Sequence, residues 1–186
     1  MERLYLEIPS IKRKQDAYDY INEFYHYNSK INGVSELHRY LNDYEGWLEK
    51  LEEDYIAIPS EKRVPARTYF LVRENDDRII GMINIRLVLN ERLKKHGGHI
   101  GYSIRPTERR KGYNKINLYL GLEVCKEHNI SEVIMDCNKD NIASSSTMKA
   151  LGGILIDEYQ DNDCIMQKYK IDVNKSLEKY KEIYKN

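Results

Sequence analysis

The hydrophobic period of the chain changes at the polar segment of residues 59–65, and this change limits the folds that the chain can adopt. Before it, residues 16–27 carry apolar side chains at helical spacing. A longer stripe with the same spacing runs from Leu37 to Tyr55, and Ser35 is its predicted N-cap. Short apolar runs of strand length follow the segment. We therefore expect helices that pack on a sheet.

The segments after residue 65 alternate between strand-like and helical patterns. Turn residues at 75–77 separate two apolar runs and predict a hairpin. Predicted strands cover residues 4–8, 68–73, 78–89, 99–104, 132–137, 154–159 and 163–170, and predicted helices cover residues 112–128 and 141–151. This order predicts an α/β (α+β) fold, a mixed sheet with helices on its faces. We assign residues 1–170 to a single domain, and residues 171–186 form a charged, helix-prone tail that either docks or frays.

Composition excludes several classes of protein. The sequence has 30 lysine plus arginine and 30 aspartate plus glutamate residues, so the formal net charge is zero and nucleic acid is not an expected partner. No apolar run is long enough to span a bilayer, and the charged first residues do not resemble a signal peptide. We expect a cytoplasmic protein with no membrane partner. Cys125, Cys137 and Cys164 form no CxxC pair and no cluster with metal-ligand spacing, which predicts reduced thiols and no metal site.

A basic turn between a strand and a helix carries the first chemical signal. The strand ends at Ile104-Arg105-Pro106, and Arg109-Arg110-Lys111-Gly112 precedes the predicted helix. The first amides of a helix have no partner within it and lie at its positive pole, so they bind phosphate readily. Gly112 has no Cβ and allows close approach. Taken alone, this segment is equally compatible with an ordinary basic turn.

Two motifs together resemble the GNAT superfamily of acyl-CoA-dependent N-acyltransferases. The first is the strand end at residues 104–106 followed by Arg109 and Gly112, which match the Arg/Gln-x-x-Gly-x-Gly/Ala signature, although Asn114 departs from its last position. The second is Asn141-Ile142-Ala143-Ser144, which matches the Asn-x-x-Ala/Ser signature and is closed by Gly152-Gly153. The string at residues 97–102 is similar to a subgroup of uncharacterised bacterial acetyltransferases.

The resemblance implies how acetyl-CoA would bind. The central sheet would be mostly antiparallel, and the strand before the turn would splay from its neighbour so that the pantetheine arm lies in the gap. The backbone of Ser103, Ile104 and Arg105 would pair with that arm. The amides of residues 109–114 would hold the pyrophosphate, with Asn141 at the pantetheine end and Ser144 on the adenosine or phosphate side. The pyrophosphate segment consists of Arg109, Arg110, Lys111, Gly112, Tyr113 and Asn114.

Catalytic roles also follow from the resemblance. An alkylamine is mostly protonated at neutral pH, so a base is needed, and the family's carboxylate position corresponds to His99. A strand amide near Ile104 would stabilise the carbonyl oxygen. The family's proton-donating tyrosine corresponds to Met148, which cannot donate, so Tyr102 becomes the candidate acid unless the thiolate leaves unassisted.

Three functions remain open from the sequence. The first is transfer of an acetyl group from acetyl-CoA to a primary amine of a small molecule or peptide, by direct attack in a ternary complex. The second is a non-catalytic acyl-CoA-binding or sensing module. The third is an interaction protein that docks through the helix of Trp47, although that helix would more simply pack on the sheet. A homodimer is compatible with each of them.

Overall fold

The computed structural model describes residues 2–184, so Met1 and the last two residues of the predicted tail lie outside the described residues. Short 3-10 turns occur at Ile11–Arg13, Leu37–Arg39 and Pro106–Glu108. The strands are β1 (Leu4–Glu7), β2 (Ala66–Arg73), β3 (Arg78–Arg86), β4 (Ile100–Ile104), β5 (Glu132–Asn138), β6 (Ile154–Asp161) and β7 (Cys164–Asp172). The helices are α1 (Lys14–His26), α2 (Tyr44–Tyr55), α3 (Glu91–Lys95), α4 (Tyr113–Glu127), α5 (Ile142–Ala150) and α6 (Val173–Tyr184). Within these residues, no helix combines the length and the apolar content that crossing a bilayer requires.

The strands form two antiparallel sheets. The first has the order β1-β2-β3-β4, and the second has the order β5-β7-β6. Within residues 2–184, β4 and β5 are joined by a single isolated bridge, between Gly98 and Met135. Beyond that bridge no ladder connects them, and we call the space between them the strand gap. Its closed end is at residues 98 and 135.

Helices cover both faces of the first sheet, which confirms the predicted fold class. On one face, α1 and α2 bury Tyr20, Phe24 and Trp47 against β2 and β3. On the other face, α4 packs against β3, β5 and β7 in a core that includes Leu122 and Tyr169. Each face of the sheet therefore has its own apolar layer, and the cores position the ends of β4 and α4 rigidly.

The prediction of one long helix capped by Ser35 is wrong. The Asp43 carboxylate accepts a hydrogen bond from the Gly46 amide at 3.0 Å and starts α2 there. Ser35 has a φ of 45°, and its hydroxyl shares a hydrogen bond of 2.7 Å with Thr68. The apolar stripe continues across the break because the 3-10 turn at Leu37–Arg39 packs in the same core as α2. Two separate segments that bury side chains in the same core thus produced the apolar spacing of one helix.

The segment after β7 forms α6, which packs on α4. Val173 and Leu177 are buried, and the Ser176 hydroxyl donates to the Leu151 carbonyl at 2.7 Å. The rings of Tyr119 and Tyr184 lie 6.0 Å apart. The C-terminal helix therefore covers the back of the helix whose N-terminus follows the basic turn.

Candidate active site

An open cleft of about 550 Å³ lies between the second half of β4 and the first turns of α4 and α5. Its walls combine polar and apolar surface from elements that are far apart in the sequence. The cleft is lined by Phe24, Lys30, Asn32, Tyr102, Ser103, Ile104, Glu108, Arg109, Arg110, Gly112, Tyr113, Asn114, Lys115, Asn141, Ala143, Ser144, Ser146 and Thr147. The structure thus brings the two sequence motifs to one site.

The backbone of β4 has a free edge towards the strand gap. The Arg86 amide donates to the His99 carbonyl and the Arg105 amide donates to the Ile80 carbonyl, both at 2.8 Å, at the two ends of the β3–β4 ladder. Antiparallel residues alternate in direction, so the peptide groups of Ser103 face β3, whereas those of Tyr102 and Ile104 face the gap. An extended ligand with amide groups fits beside this edge.

Ser103 and Arg105 therefore differ from their predicted roles. The Ser103 backbone pairs with Met82 in β3, and its hydroxyl shares a 2.9 Å hydrogen bond with Tyr20. The Arg105 amide binds the Ile80 carbonyl, and its guanidinium donates to the Ile79 carbonyl at 2.8 Å. Both residues support β4 from the side of β3, while the peptide groups of Ile104 face the gap.

The turn before α4 presents open backbone amides. Gly112 has a φ of 85° and Arg110 a φ of 64°, and both left-handed residues turn the chain tightly into the helix. Among the described residues, no acceptor lies against the backbone N–H groups of Arg110, Lys111 and Gly112. A Cβ on Gly112 would meet nothing within 4 Å, so there is room for an anion at the helix N-terminus.

The basic side chains of this turn are mostly engaged elsewhere. Arg109 donates to the Ile104 carbonyl at 3.1 Å and to the Ser29 hydroxyl at 2.8 Å. Lys111 donates to Glu108 at 2.8 Å and does not line the cleft. Arg110 is exposed at the cleft wall. The turn therefore presents backbone amides, while the side chains of Arg109 and Lys111 bind other groups of the chain.

Two carboxylates hold the turn from behind. Glu108 is 4% exposed and pairs with Arg73, Arg78 and Lys111 at 2.8–3.0 Å. Burial would raise the pKa of Glu108, but hydrogen bonds and charges from Lys111 and Arg73 keep it below its ordinary value. The backbone path that positions the amides is thus fixed by buried ion pairs.

The second carboxylate, Glu23, ties α1 to the same turn. It accepts from the Thr107 amide at 2.8 Å, from the Thr107 hydroxyl at 2.7 Å and from Arg105 at 3.0 Å. Burial opposes ionisation here too, yet these hydrogen bonds lower the pKa of Glu23. Because Glu23 lies on α1, a change in the helical layer reaches the turn directly.

A polar cluster bridges β4, α4 and α5 inside the cleft. The Tyr102 hydroxyl shares a 3.0 Å hydrogen bond with the Ser144 hydroxyl, and the Asn114 amide donates to the Thr147 hydroxyl at 3.3 Å. Burial raises the pKa of Tyr102 well above its ordinary value, so this phenol stays protonated at neutral pH. Within residues 2–184 the Asn114 carbonyl oxygen is buried without a partner. Such an acceptor suits a ligand N–H group.

Asn141 and Met148 have structural roles on α5. The Asn141 side chain accepts from the Ser144 amide at 3.2 Å and caps the helix, while the residue also lines the cleft. Met148 is fully buried in the core between α4, α5 and β7. The family's tyrosine position therefore carries a packing residue in this chain.

His99 is the one predicted catalytic residue that the structure does not bring to the cleft. It lies at the closed end of the strand gap, where its Nδ1 accepts a hydrogen bond from the Ile134 amide at 3.0 Å. Burial and the charge of Arg86 lower its pKa to about 4. A neutral ring that already accepts a backbone hydrogen bond is poorly placed to remove a proton from an amine in the cleft.

Residues 8–154 match the family model of the acetyltransferase (GNAT) domain. The chain belongs to the GNAT acetyltransferase family. This confirms the resemblance that the two motifs carried. No curated protein sequence matches the chain.

Solved GNAT structures share the fold of the chain almost end to end. The ribosomal-protein-S5-alanine acetyltransferase from Vibrio fischeri is 14% identical, with a TM-score of 0.68 over 94% of this chain and 95% of that chain. The microcin C7 self-immunity acetyltransferase MccE, solved with acetyl-CoA and AMP, is 14% identical, with a TM-score of 0.65 over 92% and 93%. The spermidine/spermine N-acetyltransferase SpeG from Vibrio cholerae is 12% identical, with a TM-score of 0.64 over 95% and 99%. Because the sequence identities are this low, the structural matches establish the fold alone.

Sequence reasoning missed the contribution of the α1–α2 loop to this GNAT site. Lys30 and Asn32 line the cleft, and a Cβ on Gly33 would overlap the backbone of Gly101 and Tyr102. The loop therefore crosses β4 in direct contact at the centre of the site. The Asn32-Gly33 pair, a common turn signal, was the available hint.

No group of three or more His, Cys, Asp and Glu side chains in residues 2–184 is arranged to hold a metal ion. The donor groups that converge on the cleft are backbone amides, hydroxyls and carboxamides. They suit a phosphate and an amide-containing chain.

Proposed function

We propose that the protein transfers an acetyl group from acetyl-CoA to a primary amine of a small molecule or peptide, by direct attack in a ternary complex. The observation that carries this proposal is the free edge of β4 ending at a turn with open amides. An extended arm and an anionic group are thus accommodated at one site. Membership of the GNAT family supports the same chemistry.

The residues of the cleft fit CoA on three counts. The amides of residues 110–112 suit the pyrophosphate, and the peptide groups of Tyr102 and the amide of Ile104 suit the pantetheine arm. The Ile104 carbonyl is already bound by Arg109. The unpartnered Asn114 oxygen suits a further N–H donor. Asn114, which departs from the family signature, thus supplies a contact that glycine or alanine lacks.

Two groups of the chain would assist the reaction. Acetyl-CoA, when bound, supplies the thioester carbon that the amine attacks. A β4 amide that faces the gap, at Tyr102 or Ile104, would stabilise the negative charge that develops on the carbonyl oxygen. The Tyr102 hydroxyl, kept protonated by burial, would give its proton to the departing sulfur. It would regain a proton through the Ser144 hydroxyl from the attacking nitrogen, which loses one as the amide forms.

The acceptor amine would enter the cleft in its neutral form. Among the lining residues in the described part of the chain, the one carboxylate is Glu108, which is held by arginine and lysine. No imidazole lines the cleft within residues 2–184. A free thiol has a pKa of about 8.5, so proton donation to sulfur is helpful but moderate in effect.

The test combines purified protein, acetyl-CoA and a panel of primary amines, with release of free CoA as the readout. Tyr102→Phe should lower kcat about tenfold while the Kd for CoA changes less than twofold, since the phenol acts after binding. Tyr169→Phe is the control, because Tyr169 is a buried core tyrosine outside the cleft. Unchanged kcat in Tyr102→Phe removes that residue as the acid.

A non-catalytic acyl-CoA sensor is the second candidate. The buried Met148 at the family's tyrosine position and the absence of a free base among the described lining residues favour it. In that case acetyl-CoA raises the melting temperature, yet no amine in the panel releases CoA. If neither CoA nor acetyl-CoA binds, both functions are excluded.

A further inference from the structure

His99 and Ile134 are paired twice at the closed end of the strand gap. The His99 amide donates to the Ile134 carbonyl at 2.7 Å, and the Ile134 amide donates to the His99 imidazole Nδ1 at 3.0 Å. The imidazole thus takes the place of a backbone carbonyl. The isolated bridge between Gly98 and Met135 lies directly beside this pair.

Further contacts fix the same end of the gap. The Arg86 guanidinium donates to the Gly98 carbonyl at 3.0 Å, and the Gly97 amide donates to the Asp136 carboxylate at 3.0 Å. Lys168 donates to the Lys94 and Lys95 carbonyls at 2.8 and 3.0 Å. In this set, His99 supplies the side-chain acceptor for a β5 amide.

The acceptor role defines the protonation of the ring. Because Nδ1 receives a hydrogen bond from an amide, the ring proton lies on Nε2 and Nδ1 is not free to take another. The charge that acts on the ring is that of Arg86, whose guanidinium also disfavours a second proton. The Asp136 carboxylate, on the β5 side, binds the Gly97 amide. His99 is therefore held as a neutral hydrogen-bond acceptor.

We propose that His99 is a positioning residue that sets the separation of β4 and β5 and thereby the fit of the pantetheine arm. This inference rests on the proposed function. If the His99–Ile134 pair is lost, the first sheet and the β5-β7-β6 sheet shift relative to each other at the closed end. The free edge of β4 then moves with respect to α5, while the turn at residues 109–112 stays in place because Glu23 and Glu108 hold it.

Two variants and two ligands test the proposal. His99→Leu keeps bulk and removes the acceptor, whereas His99→Asn places an amide oxygen near the position of Nδ1. CoA contains the pantetheine arm, and adenosine 3′,5′-bisphosphate does not. Loss of one hydrogen bond at the gap should weaken CoA binding about tenfold in His99→Leu, with adenosine 3′,5′-bisphosphate within about twofold. His99→Asn should recover most of the CoA affinity, and His26→Ala, an exposed control, should bind as the parent does.

Three outcomes would overturn the proposal. Equal losses for both ligands would mean that His99 has only a general structural role. Normal CoA affinity with lost turnover in His99→Asn would mean that His99 is the base. Unchanged hydrogen exchange at the Ile134 amide in His99→Leu would show that the pair does not hold the gap. The exchange measurement needs no ligand, so it remains decisive even if the parent protein fails to bind CoA and the proposed function is excluded.

Discussion

At the scale of single residues, His99 gives the protein a specific sensitivity to acid. Its pKa is lowered from 6.5 to about 4 by burial and by Arg86. The unfolded chain binds a proton as pH falls below about 6.5, whereas the folded chain resists it until about 4. The contribution of His99 to the free energy of unfolding is thus fully present above pH 6.5 and is lost between pH 6.5 and pH 4. The loss is about 2 kcal/mol, because the ring is partly exposed to solvent and its charge is partly screened.

The measurement is urea unfolding of the parent and of His99→Asn at several pH values between 4 and 7, a range that includes the pKa of His99 in both the folded and the unfolded chain. The difference between their free energies of unfolding should narrow on acidification, because asparagine does not titrate. A constant difference across this range would show that His99 titrates alike in both states.

Gly33 is the residue at which the α1–α2 loop is most constrained. Gly33→Ala adds a Cβ that overlaps the β4 backbone at a φ of 65°. Gly152→Ala is a matched control, since Gly152 has a φ of 82° but only an ordinary contact at 3.9 Å. We expect about 1–2 kcal/mol of destabilisation in the control and about 1–3 kcal/mol more in Gly33→Ala, measured by chemical unfolding. Equal losses of stability in the two variants would mean that the loop moves away from β4 with no further loss of free energy.

The residue scale also shows what the motifs could and could not predict. The positions of Gly112, Ile104 and Asn141 at a helix start or strand end could be predicted, because they depend on local backbone conformation. The motifs placed Arg109 and Lys111 in the pyrophosphate segment but did not show that their side chains bind Ile104, Ser29 and Glu108. Ile104 and Glu108 lie within five residues of the side chains that they bind, whereas Ser29 is 80 residues from Arg109. The path of the folded turn decides these contacts, and a motif does not reveal that path.

At the scale of elements, the turn before α4 depends on the buried charge of Glu108. Glu108→Gln removes the charge that balances Arg73, Arg78 and Lys111, so we expect a loss of about 2–4 kcal/mol of stability. The Kd for CoA should rise about tenfold because the amides lose their fixed positions. Thermal unfolding and calorimetric titration with CoA measure the two effects.

Glu74→Gln is the control for that variant. Glu74 pairs with Arg3 at 3.1 Å on the surface, and exposed pairs contribute about 0–1 kcal/mol. If Glu74→Gln and Glu108→Gln lose equal stability and bind CoA alike, buried charge does not organise the turn.

Elements were predicted well where one local signal dominated. The strand runs and the helix that begins at Asn141 appear where the sequence indicated them. The stripe from Leu37 to Tyr55 misled because a 3-10 turn and a helix share one buried face. Periodicity reports burial, so it does not show where a helix begins when two segments cover the same sheet.

At the scale of the whole molecule, α6 contributes to stability through its packing on α4. Leu177→Ala should lower the free energy of unfolding by about 2–3 kcal/mol, because the side chain is only 8% exposed. Ile183→Ala on the same helix is the control, since Ile183 is 50% exposed and should cost less than about 0.5 kcal/mol. Similar values for the two variants would mean that α6 does not pack on the core in solution.

The splay between β4 and its neighbour was the part of the architecture that depended on family resemblance, and the division of the strands into two sheets was not predicted. The order of helices and strands is readable from period and turn residues, but sheet registers arise from long-range pairing. The sequence of residues 98–104 and 132–138 contains no signal which indicates that β4 and β5 are linked by a single bridge. That feature follows from the turn at residues 97–98 and from side-chain contacts such as the one between His99 and Ile134.

The free edge of β4 also bears on how the protein avoids self-association. An unpaired strand edge is normally a template on which another polypeptide adds, the first step towards aggregation. Here the edge is only five residues long, with the loop of Gly33 against one side and the Tyr102–Ser144 contact on the other. A slender ligand arm can enter this recess, whereas a β-strand with side chains on both faces meets obstruction. The shape that admits the pantetheine arm therefore also prevents a second copy of the chain from adding a strand at this edge.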